Sequence, residues 1–585
     1  MSTLATALKP DLFQCIADMA ASQPDAPALV HLDNPLDTSA TTISYGELFS
    51  FISALAAELE AAGVTAEHSV AILLPTIPES LMAFVAAATV ATAFPLNPLL
   101  TPQALAEQLS LANAHTCIVF EPSELMPIQK KLLAALDYPQ PVKQIVEVSS
   151  GFPQASSSYP EHIPVRSWQE LVQSERRWQP KRPAARRVAA LFHTGGTSGS
   201  PKLAELGESA LAAGPQLSAQ ASHLQATDRI LNFLPYFHVG GTLSMGIGLL
   251  TRGGAFYTCG LLGGRNPDLI KQIWTLCANH HITMPTMVPT SWSAVLDNAE
   301  GKPPACLRGI ITGGAAAPLE LVERAESITG VPMSQVFGMT EFAGICTAQP
   351  VDGKFRAHAV GYPPHGVELK LNAIGEDLFE VHLKGPNLFL GYRTKDGRVN
   401  APDEWLATGD LGRLDDSGQL QLVGRSKDVI IRSGHNIDPA MIEEAAYAHP
   451  HVLYAAAIGL PDAYAGEVPV LFIVKTANGD LSNLQEVLEQ NIADAPAKPR
   501  RIIVVDELPQ TPVGKIERYR LRQQAAVICA RELLADLVPA EIQCTDNAAR
   551  TITITWPVNT SQKVKQDAEQ RLRTAGLQSQ QTEQQ

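Results

Sequence analysis

The run VAALFHTGGTSGSPK, residues 188–202, is where the reading of this chain turns. An apolar, strand-like segment from Val188 to Phe192 empties into Thr194, Gly195, Gly196, Thr197, Ser198, Gly199 and Ser200, and then into Pro201 and Lys202. Unshielded backbone N–H groups, hydroxyl donors and a cation are the parts that hold phosphate oxygens. The spacing is not that of the Walker loop, because Pro201 stands directly before Lys202, and no G-x-G-x-x-G pattern opens the segment. Taken alone, a Gly/Ser/Thr cluster is more often an ordinary surface loop. The rest of the chain has to decide.

Length and composition narrow the field. A chain of 585 residues exceeds what one hydrophobic core organises, so at least two domains are expected. With 45% hydrophobic and 18% charged residues it has the make-up of a soluble globular protein. A net charge of -15 argues against nucleic acid as the main partner, though not against small anions that answer to local charge. The eight cysteines are scattered, without a C-x-x-C pair or metal-ligand spacing, and read as reduced thiols in a cytoplasmic protein. The N-terminus carries Lys9 and Asp11 within its apolar pattern, which suits an amphipathic helix better than a signal peptide. The run LMAFVAAATVATAFPLNPLL (81–100) is Ala-rich and broken by Pro95 and Pro98. It reads as a buried helix running into a strand, not as a transmembrane segment.

Helical and strand-like segments alternate from Thr42 to Phe120 and again after the glycine-rich loop, which predicts an α/β domain with largely parallel sheets. From about Val360 to Arg425 short alternating segments predict a small β-rich subdomain. The expected division is an N-terminal domain over 1–424, a small mobile α+β domain over 425–525, and an extension over 526–585 whose Gln-rich end is expected to be disordered.

Seven short stretches then fall into line: FHTGGTSGSPK (192–202), LPYFHVGG (234–241), TGGAAAP (312–318), QVFGMTE (335–341), ATGDLG (407–412), GRSKDVIIRSGHNIDP (424–439) and LPQTPVGKIER (508–518). In this order they resemble the adenylate-forming superfamily, in particular its acyl-CoA synthetase branch, over roughly residues 26–525. The resemblance implies ATP, Mg²⁺ and CoA as co-substrates and cofactors, with a small-molecule carboxylic acid as substrate and a homodimer as a possible assembly. It implies that Thr194 to Lys202 wrap the outer phosphates, with Thr197 and Glu341 toward the metal. Thr340 would hold the α-phosphate, and Gly313, Gly314, Ala315, Phe337 and Gly338 would receive the adenine. Asp410 and Arg425 would hold the ribose. Lys515 would neutralise charge growing between carboxylate and α-phosphate, which is where positioning and charge compensation act. Lys427 stands at the hinge of the family, about which the small domain would turn to bring the Gly434 segment in for the pantetheine arm of CoA.

The resemblance also implies that His238 lies near the acyl entrance, and the absence of an Asp beside it disfavours a substrate ammonium, which would lie buried without a counter-charge. The apolar, small-residue segments around it suggest a medium or long fatty acid or a bulky alicyclic or aromatic acid. Gly195 stands where the family has Ser, Leu203 where it has Gly, and Phe337 where Tyr is commoner. The rival readings are an acyl-AMP ligase that serves a separate carrier protein, a luciferase-like oxygenase, and a non-catalytic nucleotide- or acyl-binding protein. The retained Glu341 and Lys515 speak against the last.

Overall fold

The computed structural model describes residues 8–149, 159–180, 187–194, 202–351, 359–375, 378–511 and 515–583. Up to residue 425 the chain builds three sheets. The first has eight strands in the order Gly344–Ala348, Met333–Met339, Ile310–Gly313, Met284–Met287, Arg229–Asn232, Ala255–Cys259, Pro27–Leu32 and Thr41–Ser44, parallel except at its two edges. The second has nine, of which Thr92–Pro95, Ser69–Leu73, Ala114–Phe120, Gln144–Val148 and Val165–Ser167 run parallel. Parallel strands covered on both faces need apolar side chains throughout, and Ser69–Leu73 and Ala114–Phe120 are buried almost without a break. Helix Pro78–Val90 buries Pro78 and then nine consecutive residues from Ser80 to Ala88, and leads into Thr92–Pro95, as its sequence suggests. Among the described residues no helix is long and apolar enough to cross a membrane.

The strands on either side of the glycine-rich segment pair antiparallel, Val188–His193 with Leu203–Gly207 and His193 opposite Leu203. The segment therefore links two strands, unlike a Walker loop, which links a strand to a helix.

The small β-rich subdomain is a four-stranded antiparallel sheet of Glu368–Gly375, Leu378–Lys384, Leu406–Leu414 and Leu420–Arg425. Its middle section goes elsewhere. The hairpin Gly391–Thr394 and Gly397–Asn400 leaves it to extend the nine-stranded sheet, pairing Gly391 with Glu205. Arg393 and Arg398 close on the buried carboxylate of Glu205 at 3.0 and 2.6 Å, which fixes this hairpin beside the strand that leaves the glycine-rich loop.

Beyond residue 425 a five-stranded sheet forms from Ile430–Arg432, His435–Ile437, Val452–Asp462, Gly466–Lys475 and Arg501–Val504. The boundary expected at residue 525 lies within helix Arg518–Leu533, and residues 578–583 of the Gln-rich end, expected to be disordered, form a strand. Glu541–Gln543, Thr551–Trp556 and Gln578–Glu583 form a three-stranded sheet, covered by helix Gln562–Thr574. Ile552, Ile554, Trp556, Leu572 and Leu577 share one core with Leu460, Val470, Phe472 and Leu521 of the preceding unit. Gln581 is accommodated because its side chain is paired. Trp556 Nε1 donates to Gln581 Oε1 at 3.1 Å, and Gln581 Nε2 donates to the Lys565 carbonyl at 2.9 Å. Composition alone favours disorder, but six consecutive parallel pairs with Thr551–Trp556 override it.

Candidate active site

Lys515, His238, Gly313, Gly314 and Gly338 line one cavity of about 60 Å³, together with Leu234, Met245, Thr286, Val288, Ile311, Val336 and Ile345. Four of the seven sequence motifs thus meet at one place. One wall is a π-helix, Gly240–Ile247. This wide coil is rare and gathers at functional sites. Glycine makes it possible here: a Cβ on Gly241 would stand 2.6 Å from the Pro235 carbonyl oxygen, and one on Gly246 would stand 2.7 Å from that of Gly241. The floor is equally tight. A Cβ on Gly313 would meet Val336 Cγ2 at 2.5 Å, and one on Gly344, at φ +129°, would meet Ser244 Oγ at 2.6 Å.

His238 receives a hydrogen bond on Nδ1 from the Gly240 N–H at 3.1 Å. The accepting Nδ1 leaves the proton on Nε2 in the neutral ring. Burial, and then the nearby charge of Lys515, pushes the imidazole down to about 3, so it stays neutral at ordinary pH. An uncharged donor in this cavity wall is compatible with a carboxylate or carbonyl nearby and repels no apolar group.

Lys515 reaches the cavity from the C-terminal unit, on a turn where Thr511 N–H donates to the Lys515 carbonyl and Lys515 N–H donates to Thr511 Oγ1. Burial comes first among the influences that push its ammonium below the usual lysine range. The positive charges of Arg425 and Lys427 add to this, against the pull of Asp410 and Glu341. A half-buried cation that faces further cations is the electrostatic setting for an anionic occupant.

Asp410 and Arg425 stand opposite each other on paired strands and form a two-pronged ion pair, Nε to Oδ1 at 2.7 Å and Nη2 to Oδ2 at 3.3 Å. Gly409, at φ +73°, turns the strand just before Asp410. Thr340 and Glu341 open a single 3₁₀ turn directly after strand Met333–Met339, and Thr340 is buried. The Glu341 carboxylate accepts a hydrogen bond from the Tyr392 hydroxyl at 2.6 Å. Lys202 lies 5.9 Å from the centre of the same tyrosine ring.

Tyr392 was missed in the sequence. It lies on the hairpin that leaves the β-rich subdomain, and nothing in its neighbourhood signals a contact with Glu341 fifty-one positions earlier. Ser218 and Ser244 were missed too: Ser218 Oγ lies 3.4 Å from Ser244 Oγ and accepts from the N–H of Ile345, a cavity residue.

The remaining sequence candidates fall into three groups. Thr194 and Lys202 tie the ends of the glycine-rich loop, the Thr194 N–H donating to the Lys202 carbonyl at 3.2 Å. Gly195, Gly196, Thr197, Ser198 and Gly199 lie outside the described residues. Phe337 is buried in the main core, so its neighbours Val336 and Gly338 face the cavity, and Ala315 is exposed. Lys427 is exposed at the junction of the two units. Gly434, at φ +85°, is exposed in the turn of the hairpin Ile430–Arg432 and His435–Ile437, and does not line the cavity.

Comparison with known proteins agrees with this arrangement. Residues 16–393 match the AMP-binding enzyme family, and residues 441–515 match the AMP-binding enzyme C-terminal domain. An indoleacetate–CoA ligase of Aromatoleum aromaticum is 30% identical over 507 residues, 83% of this chain and 93% of its own length. A long-chain-fatty-acid–CoA ligase of Bacillus subtilis is 27% identical over 549 residues, 87% of this chain and 93% of its own. The fold is that of the anthranilate CoA ligase AuaEII in complex with anthranoyl-AMP, with a TM-score of 0.75 at 22% identity, covering 89% of this chain and 98% of that one. It is also that of ATP-bound MatB from Rhodopseudomonas palustris, with a TM-score of 0.73 at 24% identity, covering 88% and 98%. With both of its domains matched and its motifs gathered around one cavity, the chain belongs to the AMP-binding enzyme family.

Proposed function

We propose that this chain, an AMP-forming acid–CoA ligase by family, activates a compact acid with an uncharged, apolar tail and transfers the acyl group to CoA. The observation that carries the reading is Lys515, delivered by the C-terminal unit into a cavity lined by N-terminal motifs and lying in the field of Arg425, Asp410 and Glu341. In the first half-reaction a carboxylate oxygen attacks the α-phosphorus of ATP and pyrophosphate leaves. Lys515 balances charge as it builds on the transferring oxygens, Thr340 positions the α-phosphate, and the Asp410–Arg425 pair meets the ribose. In the second, the thiol sulfur of CoA attacks the acyl carbon, AMP leaves, and the thiol proton is released to solvent.

Glu341 is the residue that fits a magnesium ion. It is a hard carboxylate held in place by Tyr392. Among the described residues no group of three or more His, Cys, Asp and Glu is arranged to hold a metal. One carboxylate completed by phosphate oxygens and water is the usual company of this ion, which would supply neutralisation of phosphate charge.

Val288, Ile311, Val336, Ile345 and Met245 supply apolar walls, and among the described residues no acidic side chain lines the cavity to pair a substrate ammonium. The small volume of the cavity, about 60 Å³, supports a medium chain or a single ring system over a long chain. Turning about Lys427 would withdraw Lys515 and bring the Gly434 turn to the adenylate, so that both steps share one site. All eight cysteines are unpaired, which suits the cytoplasm, where we place the enzyme. The test is pyrophosphate release across a panel of acids with and without CoA. Sustained turnover that needs both an apolar acid and CoA supports the proposal. Acid-dependent adenylate formation indifferent to CoA would move the acceptor to a carrier protein.

A further inference from the structure

The C-terminal extension makes one contact whose tightness stands out from its general packing. Helix Gln562–Thr574 ends on Gly576, at φ +84°, and a Cβ there would lie 2.7 Å from the Ala463 nitrogen, 2.8 Å from the Asp462 carbonyl carbon and 3.0 Å from the Asp462 Cα. The neighbours are all backbone, so no side chain can swing aside. Both the left-handed φ and the close approach call for glycine.

The turn that Gly576 touches joins strands Val452–Asp462 and Gly466–Lys475. Asp462 Oδ1 closes it by accepting from the N–H groups of Tyr464 and Ala465 at 3.0 and 2.8 Å. The Ala465 carbonyl then accepts from the Ser433 N–H at 2.6 Å, and Gly466 pairs with Arg432. Ser433 and Gly434, at φ +51° and +85°, are the two turn residues of the Ile430–Ile437 hairpin. Consecutive left-handed residues define a tight hairpin turn whose register follows its anchors. A chain of contacts therefore runs from Gly576 against the Asp462 backbone, through the Asp462 carboxylate to Ala465, and from the Ala465 carbonyl to Ser433. Beneath it, Leu572 and Leu577 of the extension share a core with Leu460 and Val468 of the two strands.

We propose that the extension over residues 541–583 is a buttress for the acceptor hairpin, with Gly576 as a positioning residue for the thioester-forming step and not for adenylation. The proposal rests on the reading that the Gly434 turn meets the thiol arm of CoA. Lys515 hangs on the separate Thr511–Lys515 turn, so the two half-reactions depend on different parts of the C-terminal unit.

The experiment measures both half-reactions in the full-length chain: pyrophosphate release for adenylation, and thioester formation from supplied acyl-AMP and CoA. Gly576→Ala forces the 462–466 turn to move by a few tenths of an ångström or more, and Asp462→Ala unties the same turn without touching the extension. Each should slow thioester formation by about tenfold and raise the KM for CoA, while adenylation and the KM for ATP stay within about twofold of the wild type. Gly434→Val serves as the reference. If it slows thioester formation and Gly576→Ala and Asp462→Ala do not, the buttress is refuted and the hairpin reading stands. If Gly434→Val also leaves the thioester step intact, the hairpin reading fails and the buttress with it. Equal loss of both half-reactions, with a lowered melting temperature in both buttress variants, would reduce the extension to packing and overturn the proposal as well.

Discussion

Replacing Lys515 by alanine takes a positive charge out of a half-buried cavity at the point where carboxylate and α-phosphate would meet. Two unit charges about 4 Å apart interact by about 4 kcal/mol at an effective dielectric of about 20. Arg425 and Lys427 stay in the same field and offset part of the loss, so about 3 kcal/mol of transition-state stabilisation should disappear. That corresponds to an adenylation rate lowered by roughly two orders of magnitude. The assay is single-turnover pyrophosphate release with saturating acid and ATP, set beside thioester formation from supplied acyl-AMP. The second step should keep at least about half its wild-type rate, because the proposed turn about Lys427 would withdraw Lys515 before the thiol attacks. Loss of both steps to the same degree would refute the division of labour between Lys515 and the Gly434 hairpin.

Three further outcomes follow from particular contacts. Tyr392→Phe removes a charge-assisted hydrogen bond to Glu341 worth about 1.5–3 kcal/mol, so the Mg²⁺ concentration for half-maximal adenylation should rise about tenfold or more, read by a magnesium titration. Because burial and then the positive charge of Arg425 hold Lys515 below the ordinary lysine value of 10.5, the ammonium is lost earlier as pH rises, and kcat/KM for adenylation should fall on an alkaline limb below that value. Lys515→Arg should move the limb upward, whatever activity it retains. Burial raises the Asp438 carboxyl from 3.8 to about 7, so the folded state binds the extra proton between those values. The stability this gives is complete below 3.8 and lost as pH rises through about 7, so Asp438→Asn should stabilise the protein by about 4 kcal/mol near pH 8 and by little near pH 4, measured by denaturant unfolding.

What the sequence reveals and what it hides divide along physical lines. Phosphate, ribose and carboxylate chemistry need particular side chains at particular turns, so the motifs around His238, Gly313, Thr340, Asp410 and Lys515 were legible, and the structure brings His238, Gly313 and Lys515 to one cavity. The π-helix Gly240–Ile247 was not, because an apolar glycine-rich run shows no period that separates a π-helix from an α-helix. Tyr392 was hidden by topology: its strand belongs by sequence to one subdomain and by pairing with Ala204 to another sheet. In the extension only the Gln-rich end reads as disordered, because glutamines carry no apolar period, whereas residues 578–583 form a strand. The signals of order lie just before it: the alternation of TITITW, whose Ile552, Ile554 and Trp556 are all buried, and a helix start at Ser561, whose hydroxyl accepts from the Val564 N–H. Those signals show that a unit exists but not what it packs against, which only the shared core reveals.

The most direct test of the central claim follows one atom. If the acid is joined to the α-phosphate before CoA attacks, an acid labelled with heavy oxygen in its carboxylate must leave one labelled oxygen in the AMP released with each thioester, read by mass spectrometry of the nucleotide. The account predicts AMP carrying that single label, with unlabelled pyrophosphate. Label-free AMP, or label appearing in a terminal phosphate, would contradict it.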